Sequence, residues 1–431
     1  MKIAIVNAFG ENRGDEAMLS SLCIALREKY QAAQIDILSK GWLDLRRFGV
    51  EVHTSTPWPN SVPVDRKLMT RLVRRLNGSW RETGTLPDNL KRLDWSRFSK
   101  LDQYDFVISS PAGPYFGDYV SGAGKSKSAF EPLAPLAYCA RTGIPFGILA
   151  TSGGPFLDTK SNISRIAVLS AANFWTLREK TSYEHVTALL GNERVYLSGD
   201  LVFAHPKRNV SEFVHNCDRA DFDSVLDTFQ KTQPIIFTLN ATSYEDDQGR
   251  VIPFKRSEYI AKMTNLIDHA IEKTGKEVWL FPHFYGRPME LQVMLPVREA
   301  SRHSRRVHIL SPIFNSEIKM HLYTAAGFVV SNRYHPTIFA INSGCPFLCI
   351  SNHFKVQSLL KMTNLNIGRA VRTPDDLNIW KEGFDQAWTS RQDLAAAILD
   401  KVPTIRAAAG RNFEILFGAL DASLQERSAF K

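Results

Sequence analysis

The feature that most narrows the fold is an alternation of short apolar runs with amphipathic stretches, sustained over most of the chain. Residues 2–7 read KIAIVN, which suits a buried strand. A glycine-bearing loop follows, Gly10-Glu11-Asn12-Arg13-Gly14-Asp15. Met18, Leu22, Ala25 and Leu26 then recur at helical spacing, and residues 34–38 form the next apolar run. The pattern returns at 104–109, 146–150, 174–178 and 194–197, with helical segments between. Strand–helix–strand repetition of this kind builds parallel sheets through crossover connections. Apolar periodicity fades over residues 203–222, which predicts a linker. A second series then runs through 234–239, 277–281, 307–310, 327–330 and 347–350. The expected architecture is α/β, with two Rossmann-like, doubly wound parallel-sheet domains facing one another across a cleft. Residues 1–205 make the first domain and 206–385 the second. Residues 386–431 read as C-terminal helices that pack back on the first domain.

Composition supports a packed, two-domain chain. Of 431 residues, 44% are hydrophobic and 23% charged, which excludes disordered, collagenous and coiled-coil classes. The five cysteines contain no C-x-x-C pair, so neither a disulfide framework nor a structural zinc site is expected, and a reducing compartment suits the chain. No uninterrupted apolar stretch reaches the ~18–20 residues of a spanning helix. The expected location is therefore the cytoplasm. The net charge is +9, and residues 65–100 carry ten Lys or Arg against four acids. That segment reads as a basic insertion in the first domain. It is either a solvated helical surface or an attractor for an anionic partner, a phospholipid surface at the inner face of the membrane or a diphosphate-bearing substrate. No nucleic-acid-binding module is recognisable, so no nucleic-acid partner is expected.

In open parallel sheets, ligands collect where strand ends meet helix N-termini. Three loops at such places carry unusual residues. In Asn12-Arg13-Gly14-Asp15-Glu16, the glycine allows a backbone conformation costly to other residues, and a helix beginning near Asp15 aims free N–H groups at the loop. The plainer reading makes Asp15 an N-cap and Glu16 a helix-dipole partner. In Ser331-Asn332-Arg333-Tyr334-His335-Pro336, the arginine offers a planar fork for phosphate or carboxylate and the histidine a proton near neutral pH. In Ser351-Asn352-His353-Phe354-Lys355, the lysine is expected to join Arg333 in an anion cradle if the two strands are neighbours. His283, after the run 277–281, is a fourth candidate of the same kind. No cluster has metal-ligand spacing, so no catalytic metal is expected.

Taken in order, these residues resemble the polysaccharide pyruvyl transferase family. Asn12-x-Gly14-Asp15-Glu16-Ala17-Met18 is similar to its opening motif. Arg178-Glu179-x-x-Ser182-x-Glu184, Leu189-x-Gly191 and Gly199-Asp200 resemble its middle block, and Ser331-x-Arg333-x-His335 with Gly344-x-Pro346 and Lys355 its C-terminal signature. The resemblance implies a two-Rossmann, GT-B-like fold. It also implies transfer of an enolpyruvyl group from phosphoenolpyruvate to two hydroxyls of a sugar, closing a cyclic ketal on an exopolysaccharide or cell-surface glycan precursor. Phosphoenolpyruvate would be a co-substrate, with no cofactor needed, and the acceptor would be a glycan carried on a lipid. By resemblance Arg333, His335 and Asp15 are the catalytic candidates. Asn12, Gly14, Glu16, Arg178, His283, Ser331 and Lys355 are the candidates for binding substrate. The chain departs from the family at Ser110-Pro111-Ala112-Gly113-Pro114, where a double glycine is usual, and at Asn240, where an arginine is usual. Two other functions fit the same cleft: a glycosyltransferase using a nucleotide sugar, and a non-catalytic member of a polysaccharide assembly complex.

Overall fold

A computed structural model describes residues 1–40, 45–53, 93–112, 115–120, 126–128, 132–206, 210–214, 219–240, 243–245, 251–253, 255–285, 289–351, 354–365, 370–372 and 376–429. Most of the basic insertion lies outside these residues, as do Cys217, Asn352 and His353. The expectation of membrane contact through that segment therefore has no structural counterpart here.

The strands of the N-terminal lobe are β1 (Lys2–Phe9), β2 (Gln34–Lys40), β3 (Glu51–His53), β4 (Phe106–Ser109), β5 (Tyr115–Phe116), β6 (Asp118–Val120), β7 (Ser126–Ser128), β8 (Phe146–Gly153), β9 (Phe174–Leu177) and β10 (Val195–Leu197). Its main sheet is parallel, in the order β10-β9-β8-β4-β1-β2-β3, with β5 added alongside β8. Helices α1 (Arg13–Lys29), α2 (Leu133–Thr142), α3 (Thr159–Leu169) and α4 (Lys180–Leu190) make the crossovers. Central strands read as continuous apolar runs because both faces are covered. Ile3, Ala4, Ile5 and Val6 are all fully buried.

The C-terminal lobe opens with α5 (Arg219–Thr232), so the predicted linker ends a few residues earlier than its composition suggests. Its strands are β11 (Ile235–Phe237), β12 (Ser243–Glu245), β13 (Val251–Pro253), β14 (Val278–Leu280), β15 (Val307–Ile309), β16 (Phe328–Ser331), β17 (Phe347–Ile350) and β18 (Ala370–Val371). The order β15-β14-β11-β16-β17-β18 is again parallel, with the reversal of winding between β11 and β16. The helices are α6 (Arg256–Thr274), α7 (Leu291–Ala300), α8 (Ser316–Thr324), α9 (Tyr334–Ser343), α10 (Phe354–Met362) and α11 (Leu377–Thr389).

A long last helix, α12 (Arg391–Ala429), returns to the N-terminal lobe. Leu394, Ile398, Val402, Ala409, Leu416 and Leu420 form its buried stripe. Asn412 pins it: Ser198 Oγ donates to its Oδ1 at 2.8 Å and its Nδ2 donates to the Gly199 carbonyl at 2.9 Å. Further along, Tyr30 donates to Asp421 at 2.7 Å. One hydrophobic cluster runs continuously from α1 through α8, α9 and α12, so the two lobes share a core. The described cysteines 23, 139, 345 and 349 are buried free thiols. Among the described residues, no helix is long and apolar enough to cross a membrane.

Candidate functional site

The loop after β1 is shaped by Asn7, which has a positive φ of 62° at an irregularity in the β1–β2 register. Asparagine tolerates that conformation better than most residues. It is anchored by bonds from Nδ2 to Ser109 Oγ and to the Pro132 carbonyl. The cap of α1 is Asn12, whose side chain accepts from the Gly14 N–H at 2.9 Å. The helix therefore starts at Arg13, two residues before the expected position. Asp15 has no capping duty and stands in the first turn.

The same loop is stitched to the C-terminal lobe through its backbone. Arg13 N donates to the His283 carbonyl and Tyr285 N to the Glu11 carbonyl, each at 2.8 Å, with Asn12 bridging Phe284. The carboxyl ends of β1 and β14 are thus held edge to edge. Beside this bridge lies a buried ion network. Glu16 pairs with Arg13 and, at 3.1 Å, with Arg47; Arg47 reaches Glu317 at 2.7 Å.

The turn after β16 presents the second set. Ser331 is fully buried, and its hydroxyl is used inside the turn, donating to the Arg333 carbonyl at 2.8 Å and facing Thr337 Oγ1 at 2.9 Å. Arg333 leaves the turn with its side chain one-fifth exposed. Its Nε lies 2.5 Å from Glu290, and its Nη2 donates to Asn240 at 3.5 Å. Arg333 also sits over the Phe284 ring, 5.5 Å from its centre.

His335 crosses to the other lobe and packs on Gly14. A Cβ at position 14 would fall 2.0 Å from its Cγ, so the glycine supplies room. Its φ is not positive, which corrects the expectation of an unusual backbone. His335 Nε2 lies 3.8 Å from Asp200 of the N-terminal lobe. Asp200 in turn accepts from Arg178 Nη1 at 2.9 Å, and Arg178 stacks on Tyr334, 5.0 Å from the ring centre.

This gap is an electrostatic balance in a low-dielectric setting. Burial dominates at Asp15 and pushes its carboxyl up to about 7; Arg178, Lys355 and Arg333 pull against that, while Asp200 adds to it. Burial, with Arg178, Lys355 and Arg333 nearby, holds the His335 imidazole far below the ordinary histidine value. His335 is therefore neutral at pH 7, an acceptor rather than an acid. The arrangement offers a carboxyl poised near neutrality, a neutral imidazole and three cations suited to an anionic ligand.

The structure thus brings Gly14, Asp15, Arg178, Arg333, His335 and Lys355 to one gap. The other candidates each have a partner inside the protein. Asn12 caps α1, Glu16 is consumed by two arginines, and Ser331 closes its own turn. His283 is fully buried, with Nε2 3.0 Å from the Tyr323 hydroxyl and its ring against Phe339. Asp200, Tyr334 and Glu290 also reach these residues. Asp200 belongs to the middle motif and Tyr334 lies between Arg333 and His335, whereas nothing in the spacing of Glu290 relates it to Arg333.

A two-lobed parallel α/β chain with cations and titratable groups at its interlobe gap defines the class: a GT-B-like enzyme fold. Solved structures that share it include the following three. The UDP-GlcNAc 2-epimerase from Neisseria meningitidis bound to UDP-GlcNAc superposes with a TM-score of 0.60 at 13% identity, covering 97% of this chain and 100% of that one. The UDP-GlcNAc 2-epimerase from Methanocaldococcus jannaschii, in complex with UDP-GlcNAc and UDP, gives 0.52 at 14%, covering 91% and 92%. A ugt transferase from Siraitia grosvenorii in complex with UDP gives 0.53 at 12%, covering 98% and 99%. Likeness at such identities is one of fold. No curated protein matches the chain. The polysaccharide pyruvyl transferase family matches over residues 12–353, and the chain belongs to that family. It is accordingly a transferase of polysaccharide biosynthesis.

Proposed function

We propose that the chain transfers the enolpyruvyl group of phosphoenolpyruvate to two hydroxyls of a sugar, closing a pyruvate ketal on a lipid-carried glycan precursor. The observation that carries this reading is the placement of Asp15, buried near Arg178 of its own lobe and near Lys355 and Arg333 of the C-terminal lobe, with burial pushing its carboxyl up to about 7. Phosphoenolpyruvate bears a phosphate and a carboxylate, which suits a forked guanidinium flanked by two further cations.

In this reading Arg333 grips the donor, with Lys355 and Arg178 adding positive potential. Asp15, protonated, gives its proton to the methylene carbon, turning CH2 into CH3 and leaving positive charge on the adjacent carbon. A sugar hydroxyl adds there and its proton passes to His335, whose basicity rises once the donor offsets the surrounding cations. The second hydroxyl forms the second C–O bond as the phosphate C–O bond breaks. One hydroxyl proton replaces that lost by Asp15, and the other leaves with phosphate, so the cycle balances.

The test is phosphate release from phosphoenolpyruvate by the purified chain in the presence of glycan acceptors. Release that requires acceptor and disappears in Arg333→Ala supports the reading. Turnover of a nucleotide sugar, with phosphoenolpyruvate inert, would overturn it.

A further inference from the structure

Glu290 sits at a junction that the reaction above does not use. It immediately precedes α7 and is wholly buried, yet it makes no capping bond with its own helix. Its two oxygens are turned elsewhere. Oε2 accepts from the His283 backbone N–H at 2.7 Å, and the carboxylate also accepts from the Phe284 N–H. Oε1 lies 2.5 Å from Arg333 Nε, in ionic contact although off the hydrogen-bonding line.

Both ends of this contact matter to the gap. His283 and Phe284 are the residues whose other edge carries the N-terminal lobe, through the Arg13 N–H and the Asn12 bridge. Asp15 follows two residues behind Arg13 in the same helix. Arg333 has one edge engaged by Glu290, one face over Phe284 and Nη2 directed at Asn240. A guanidinium fixed through Nε has only its Nη side to offer a ligand, so its orientation is set before any ligand arrives.

We propose that Glu290 is a positioning residue that fixes Arg333 by its Nε edge and ties that arginine to the backbone bridge holding the Asp15 helix. The proposal rests on the reading that Arg333 grips an anionic donor. It also explains why a buried carboxylate sits against the donor arginine at all. Its negative charge opposes donor binding, a cost that makes sense only if geometry matters more than raw attraction. An unpaired arginine at this depth would also be expensive in the empty site.

Glu290→Gln keeps an oxygen for the His283 N–H and removes the charge that holds Arg333. The account predicts that kcat with phosphoenolpyruvate falls about 10- to 100-fold while KM for phosphoenolpyruvate stays the same or falls. In an Arg333→Lys background, which lacks the Nε edge, adding Glu290→Gln should change kcat by less than about twofold. Equal losses in both backgrounds, or a rise in KM with kcat unchanged, would overturn the proposal. Should Glu290→Gln fail to fold, Glu290→Asp enters the same cycle with the same expectations. A second readout needs no donor: the Arg333 Nε–H resonance in NMR, assigned by its loss in Arg333→Lys. Its chemical shift should move in Glu290→Gln, because the carboxylate charge beside Nε is gone. An unchanged resonance overturns the positioning role, whereas absence of turnover in the wild-type chain with this resonance behaving as expected overturns only the donor reading.

Discussion

Gly14 and His335 occupy what would otherwise be one volume: the ring from the C-terminal lobe fills the place of a side chain on α1 of the N-terminal lobe. The atoms concerned include the Cβ of His335, only 2.3 Å from the position a Gly14 Cβ would take, so rotation of the ring cannot relieve a clash. Gly14→Ala must therefore push the lobes apart or displace α9. It should cost about 1–3 kcal/mol of stability, as overpacking does. Most of the activity should go with it. Adding His335→Gly, which removes that Cβ as well as the ring, should recover part of the melting temperature but not the activity. Calorimetry and phosphate-release assays on the single and double variants check both halves.

Asp15 is held in a state that favours activity over stability. Its folded pKa, about 7, lies above the unfolded value of 3.8. Between those values the native chain binds more protons than the unfolded one, so this group's contribution declines as pH rises toward 7 and is lowest above it. Asp15→Asn removes that liability. The shift limits the gain to about 4 kcal/mol at pH 8, with about 1–3 kcal/mol expected after relaxation and no gain below pH 4. Activity should be lost throughout. Thermal melts of both proteins across pH 4–8 test this, and a variant less stable at pH 8 would count against it.

The interlobe ion network should show the opposite pH sense. Burial alone would raise the Glu317 carboxyl, but Arg47 and His205 more than offset that and hold it well below the usual carboxylate range. Its contribution is fully present above the unfolded pKa, 4.5, and is lost as pH falls toward the folded value. Glu317→Ala leaves Arg47 with Glu16 alone and should destabilise by about 3–5 kcal/mol at pH 7, the cost of breaking a buried pair. The difference from wild type should shrink in acid, which denaturant titrations at pH 7 and pH 4 would measure.

Much of this arrangement was legible in the sequence for a physical reason. Strands buried on both faces must be continuously apolar, so β1, β8, β11, β14, β16 and β17 were visible as runs, and loops at their carboxyl ends were the natural places to look. Arg333 and His335 share one such loop, and Lys355 begins the helix after the neighbouring strand. Pairings between lobes left no periodic trace. The need for Gly14 to lack a side chain is set by a histidine 321 positions away. Glu290 is defined by what it touches, and its neighbours in sequence say nothing of Arg333. Asn12, Glu16, Ser331 and His283 looked like ligands because polar residues at strand ends often are. Each also has an internal partner, a cap, an arginine, a turn or a tyrosine, that its sequence neighbours do not announce.

The Arg178–Asp200 pair, 2.9 Å apart and buried, faces both His335 and Tyr334. Asp200→Asn keeps a hydrogen-bond acceptor for Arg178 but removes the negative charge near His335 and Asp15. The Asp15 carboxyl should then titrate lower, because Asp200 is one of the groups that raise it. The high-pH limb of kcat/KM should move to lower pH, and an unmoved limb would separate Asp200 from the proton chemistry.

The most direct measurement is to run the reaction with phosphoenolpyruvate and acceptor in D2O and examine the product methyl group by NMR. The account predicts a pyruvate ketal whose methyl carries one deuterium, delivered from a solvent-exchanged Asp15. A ketal with no solvent-derived deuterium, or a sugar product with no methyl at all, would contradict it.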